Sequence, residues 1–184
     1  MKEFSQLKLK RGKNYLFLFF VFGLSMAALG QDYSKNNWYF GSSQYGIIFN
    51  KSDDQPNQTD IQATPFGNAA AAVATDAISG DLLFYTDGSV VWNKNHKIML
   101  NGSGLFGDSS STQSAIIVPK PNDPNIYYIF TVDNIKGNSN PTNLGLNYSE
   151  IDLRLDGGLG ALTTKNVNLV KESSEKVTAV IKDC

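Results

Sequence analysis

The chain has 184 residues, with 16 Lys and Arg against 17 Asp and Glu, a formal net charge of −1, one His and one Cys. The lone cysteine, Cys184, is the last residue and excludes any internal disulfide. Five of the basic residues (Lys2, Lys8, Lys10, Arg11, Lys13) and a single acidic one (Glu3) fall in the first thirty positions, so residues 31–184 carry a net charge of −5. No Lys/Arg cluster remains there, which argues against nucleic acid or an anionic membrane surface as the partner.

The basic start is followed by an apolar run, Tyr15 to Leu29, and by small residues at Ala28 and Gly30. This is the pattern of a signal peptide cleaved before Gln31. The run is about 15 residues long, whereas a membrane-spanning helix needs about 20. The expected organisation is a signal peptide over residues 1–30 and one domain over 31–184, with no stable membrane span after cleavage and a secreted, extracellular, surface-associated product. About 150 residues suffice for one core.

Asn37 to Gly41 and Tyr45 to Asn50 read as a first pair of short aromatic strands. Lys51 to Asn68 carries almost no apolar pattern and reads as a solvated loop. Ala69 to Asp76 has alanine propensity for helix, but it is short and runs into a turn, so a strand of small side chains is expected. Gly80 to His96 is the clearest unit: Leu82 to Tyr85 and Val90 to Trp92 flank Thr86-Asp87-Gly88, a β-hairpin signature. Lys97 to Leu100 follows, then a Gly/Ser-rich loop, Asn101 to Thr112. Gln113 to Val118 and Ile126 to Val132 are strands separated by a turn that three prolines bar from a sheet interior. After a polar loop, Asp133 to Asn143, Leu144 to Leu155 alternates, Asp156-Gly157-Gly158 turns, and Asn166 to Val170 is a short strand. No segment sustains a period of 3.6, so the class is all-β.

Ala72 to Gly88 lies on Ala115 to Asn134 as a weak repeat about 43 residues apart, the period of four-stranded propeller blades. The expected fold is an incomplete β-propeller of WD40-like four-stranded blades, about three present, with Val177 to Asp183 opening the next. Propellers close with about 4–8 blades, so the chain is expected to be the N-terminal piece of a longer protein.

The segments WYFG (38–41), LLFYTDG (82–88), VWN (91–93), NH (95–96), MLNG (99–102), LFG (105–107), SSSTQSAIIV (109–118), PKP (119–121), YYIFT (127–131) and EKVTAV (175–180) occur in one order. In this the chain resembles the N-terminal propeller-type region of large Bacteroidetes surface proteins. Such proteins continue into PKD-like repeats and end in a gliding-motility-associated, type B sorting domain. The resemblance implies type IX secretion of a longer parent through that C-terminal domain. The Glu-Gly-Cys frequent in the family near residues 69–71 is Ala69-Ala70-Ala71 here.

Residues for chemistry are few. His96 is the only histidine and lacks a G-x-S-x-G, H-E-x-x-H or C-x-x-C companion; a backbone-satisfied turn histidine is the expectation. Asp76, Asp81, Asp87, Asp108, Asp133 and Asp152 sit near strand ends, where turn formation is the commoner role, although two of them held some 5–10 Å apart are what glycoside hydrolysis requires. Trp38, Tyr39, Trp92, Tyr127 and Tyr128 are candidates for stacking on sugar rings, with core packing the commoner use. The residues singled out for ligand contact are Asp87, Trp92, Asp108 and Asp133; no catalytic or metal-ligating set is expected. No cofactor is implied, and calcium enters only generically, because Asp76 to Asp81 lacks the spacing of an EF-hand loop. The expected function is a non-catalytic surface module for adhesion or attachment to polysaccharide or protein. The alternatives are a propeller-type glycan hydrolase or lyase and a β-sandwich lectin.

Overall fold

The computed structural model describes residues 32–53, 55–61, 67–69, 71–134 and 143–180. The chain divides into Met1–Asp32 and Tyr33–Cys184. All but Asp32 of the first unit, and with it the expected signal peptide, lies outside the described residues, as does Cys184.

The second unit is all-β, eleven strands and one 3-10 turn among the described residues. Three antiparallel meanders follow one another. The first comprises β1 (Asn37–Tyr39), β2 (Tyr45–Phe49) and β3 (Pro56–Asp60). The second comprises β4 (Ala72–Thr75), β5 (Leu82–Thr86), β6 (Val90–Asn93) and β7 (Ile98–Ser103). The third comprises β8 (Ala115–Pro119), β9 (Ile126–Val132), β10 (Leu146–Asp152) and β11 (Ala161–Val170). The 3-10 turn at Asp156–Gly158 stands between its last two strands.

The second and third meanders join into one eight-stranded sheet, in the order β4-β5-β6-β7-β11-β10-β9-β8. The junction is a single parallel bridge, Ala161 to Leu100. Beyond it side chains hold the strands: Lys165 Nζ donates to Ser103 O at 2.9 Å, and Asn166 donates to Gly104 O at 2.8 Å and accepts from Phe106 N at 2.9 Å. At the far side β4 and β8 come near each other, so the sheet is nearly closed, like a flattened barrel.

Each of the eight strands places an apolar side chain between the two halves: Ala74, Phe84, Val91, Met99, Ala115, Ile129, Ile151 and Leu162. Burying a side chain such as Phe84 or Ile129 contributes about 1.5–3 kcal/mol. Alanine suits β4 because Ala74, buried in the core, pairs with Phe84 and leaves the volume to the aromatic ring. A second core lies on the other side of the second meander. There Tyr39 and Ile61 meet Tyr85 and Trp92.

Four readings from sequence are corrected by these strands. Residues 51–68 are not all loop, because Pro56–Asp60 is β3. It pairs with β2 on one side only and is solvent-exposed, so it carries no apolar alternation, and its Pro56 is allowed because the proline opens an edge strand. Asn101 to Ser103 belongs to β7 rather than to the Gly/Ser loop, and β11 begins at Ala161, five residues before the expected Asn166. Val177 to Val180 forms no strand; the rest of the expected Val177 to Asp183 strand lies outside the described residues.

Candidate functional site

Three of the four residues singled out for ligand contact come together at one end of the eight-stranded sheet. Asp87 follows β5, Asp133 follows β9, and Asp108 sits on the loop from β7 to β8 that crosses between them. The backbone ties these segments: Gly107 N donates to Gly88 O at 3.0 Å, Asp108 N to Val132 O at 3.3 Å, and Val132 N to Ser114 O at 3.0 Å. Topology therefore assembles what sequence separates by 46 positions at most.

Each carboxylate is engaged by backbone N–H groups of the loops at this end. Asp87, buried, accepts from Ser89 N at 2.8 Å, Ser89 Oγ at 2.8 Å and Val90 N at 2.9 Å, all through Oδ1. Thr86 completes the corner by donating to Val90 O and accepting from Gly88 N. Asp108 accepts from Ser110 N and Ser110 Oγ, at 2.8 and 2.6 Å, while Asn134 donates to the same hydroxyl at 2.7 Å. Asp133, also buried, accepts from Asn134 N through Oδ1 and from Leu144 N through Oδ2. Asp87 and Asp108 form Asx turns, the short side chain replacing a backbone acceptor, whereas Asp133 ties the start of its loop to Leu144. Behind them Ser111, Ser114 and Thr131 are fully buried, and their hydroxyls have no protein partner among the described residues.

The remaining aspartates repeat the pattern. Asp76 accepts from Ile78 N and Ser79 N, and the bond from Ser79 is the main cause that holds its carboxyl below the ordinary range. Asp152 accepts the guanidinium of Arg154, which lowers its pKa likewise. Asp81 faces Lys51 at 3.4 Å on an exposed surface. A glycosidic general acid needs the opposite shift, upward by burial away from partners. Among the described residues no group of three or more His, Cys, Asp or Glu is arranged to hold a metal ion, and no helix is long and apolar enough to cross a membrane.

Trp92, the fourth residue, is 6% exposed and stacks on Tyr85 with centroids 5.5 Å apart and planes at 12°. Tyr39 meets Tyr85 edge-on at 5.0 Å. Burial pushes the Tyr39 phenol up to about 12, and desolvation raises Tyr85 as well. His96 is no bystander in a turn: its Nδ1 lies 3.2 Å from Tyr85 Oη, and burial lowers its pKa. Tyr127 packs edge-on to Phe84 in the main core, whereas Tyr128 faces outward beneath Lys120. Sequence reasoning named Trp38 as a stacking candidate but missed Phe40 and Tyr45 beside it on the outward face of the first meander. There Trp38, Phe40 and Tyr45 are 48%, 46% and 49% exposed, and an open depression of about 320 Å³ is lined by Phe40, Ser43, Tyr45, Ile47, Asn57 and Gln58. The alternation of Trp38, Phe40, Tyr45 and Ile47 was its signal.

Fold and site together define an all-β protein of antiparallel meanders with an aspartate-turned loop end. Comparison of the chain with protein-family models, with curated proteins and with solved structures returns no match.

Proposed function

We propose that the chain is a non-catalytic, exported binding and structural module of the cell surface, built from propeller-type blades. In this reading it belongs to a larger protein carried out by type IX secretion and attaches to polysaccharide or to another surface protein. The observation that carries the non-catalytic part is the engagement of the aspartates: the carboxyls of Asp76, Asp87, Asp108 and Asp152 accept bonds from their own turns, and Asp133 accepts from Asn134 N and Leu144 N. For Asp76 and Asp152 those bonds lower the carboxyl pKa, the reverse of what a general acid needs.

The blade reading is supported by direction and order. β7 and β11 run parallel, and neighbours within each meander are antiparallel, so β4 and β8 are parallel too. The second and third meanders therefore follow the same path, one stacked on the other through a shared core, as successive blades do.

The test is a glycan-array screen beside a hydrolysis assay on the same protein. Binding without turnover is expected. Turnover abolished by a single Asp→Asn change would sink the non-catalytic reading.

A further inference from the structure

The first meander is attached to the rest of the chain by few contacts. Among the described residues no ladder joins its three-stranded sheet to the eight-stranded one. Between Tyr33 and Ile61 it buries only two apolar side chains, Tyr39 and Ile61, and both rest on Tyr85 and Trp92. Asn37 adds bonds to Thr75 Oγ1 at 3.2 Å and to Gly80 O at 3.1 Å, and Tyr33 N donates to Ala77 O at 2.9 Å. A unit with so little buried contact opens before a filled core does. The eight-stranded sheet has such a core, with a side chain from every strand.

Tyr85 is the pivot of that attachment. Its ring meets Tyr39 edge-on at 5.0 Å, stacks on Trp92 at 5.5 Å and lies 5.8 Å from the His96 ring. The turn after β6 aims His96 at it. Asn93 Oδ1 accepts from Asn95 N and Lys97 N, His96 N donates to Asn93 O at 2.9 Å, and His96 takes φ +59°. From there its Nδ1 reaches Tyr85 Oη at 3.2 Å.

A proton on that imidazole gains no counter-ion. Its neighbour from β5 is the Tyr85 phenol, behind which stands the Tyr39 phenol of β1, and Trp92 of β6 is uncharged. Its own turn brings only the exposed cations Lys94 and Lys97. No carboxylate among the described residues pairs with it, and burial lowers its pKa. Imidazolium at Nδ1 presents a donor to Tyr85 where neutral imidazole presented an acceptor.

We propose that His96 is an acid sensor for the docking of the first meander: a proton on Nδ1 releases the Tyr85 ring, and β1 to β3 open while the eight-stranded sheet stays folded. The device does not depend on the surface-module reading. Its sign follows from hydration. In the opened form the imidazole meets water and binds the proton with its ordinary pKa of 6.5, whereas in the docked form burial opposes the proton. The opened population therefore grows as pH falls below 6.5.

The test is hydrogen exchange read by mass spectrometry at pH 7.5 and 5, each peptide corrected for the intrinsic pH dependence of amide exchange. Loss of one hydrogen bond makes peptides spanning β1 to β3 open about threefold to tenfold more often at pH 5, with no change across β8 to β10. His96→Asn, a residue that tolerates the positive φ, is expected to exchange equally at the two pH values. Tyr85→Phe keeps the ring and loses the hydroxyl, so its first meander is expected to open at pH 7.5 as often as that of wild type at pH 5. Four outcomes overturn the proposal: equal acceleration of both sheets, no acceleration, an acid response that survives in His96→Asn, or a Tyr85→Phe protein that matches wild type at pH 7.5.

Discussion

The Tyr85 hydroxyl and His96 Nδ1 lie 3.2 Å apart at the edge of the core that joins the first two meanders. With its proton on Nε2, neutral His96 accepts from the phenol at Nδ1, and this helps fix a ring that stacks on Trp92 and meets Tyr39 edge-on. Protonation at Nδ1 removes the acceptor.

Stability is expected to fall with acid through this pair. Burial lowers the folded-state pKa of His96 below its ordinary value of 6.5, so the unfolded chain binds the proton first. The contribution is complete above 6.5 and is lost as pH falls from there through the folded value. Asp76 and Asp152 are shifted downward from 3.8 and act only at lower pH. Urea midpoints at pH 7.5 and 5 measure the loss, and His96→Gln should flatten it; an unchanged slope in that variant would remove His96 as the cause.

Asp87→Ala is expected to destabilise the fold by about 2 kcal/mol, since Ser89 N and Val90 N lose their acceptor at a buried corner. Asp87→Asn, which keeps an acceptor oxygen, should recover much of that. Denaturant unfolding of both variants decides it. Equal stability of Asp87→Ala and wild type would mean that the carboxylate is held for something other than its turn.

Gly88→Ala and Gly157→Ala both place a side chain at positive φ, +91° and +64°. Their costs should differ. A Cβ at Gly88 falls 2.7 Å from Ser114 Cβ, whereas nothing lies within 4 Å of one at Gly157. The first is expected to cost about 3 kcal/mol through strain and overpacking, the second about 1 kcal/mol. Thermal melts that rank the two in reverse would place the loop differently against β8.

Thr131→Val should raise stability by about 1 kcal/mol. The hydroxyl is buried and has no protein partner among the described residues, so a methyl group of nearly the same shape relieves an uncompensated desolvation. Destabilisation of that size would show that Oγ1 is bonded.

Strands with an alternating or strongly β-prone apolar pattern were legible without coordinates. Ile126–Val132 occupies the expected residues, and Leu82 to Trp92 forms the expected hairpin, because β-branched and aromatic side chains bounded by Asp-Gly leave few alternatives. β3 was not legible, since an edge strand with solvent on its sides needs no apolar residue, only the backbone of β2. Trp92 illustrates the same limit at the site: aromatic identity suggests either a ligand platform or a core, and only the Tyr85 ring stacked against it decides for the core.

The all-β class, the Asp-Gly hairpin turn and the aspartate that closes both β5 and β9 were readable in the chain alone, because they follow from local sterics, propensity and residue period. Tertiary structure alone decided that Asp87, Asp108 and Asp133 share one sheet end, that β7 meets β11 through one bridge, and which aromatic rings are covered. Those outcomes depend on contacts between residues tens of positions apart, whose free energy comes from joint burial and leaves no periodic mark on either segment alone.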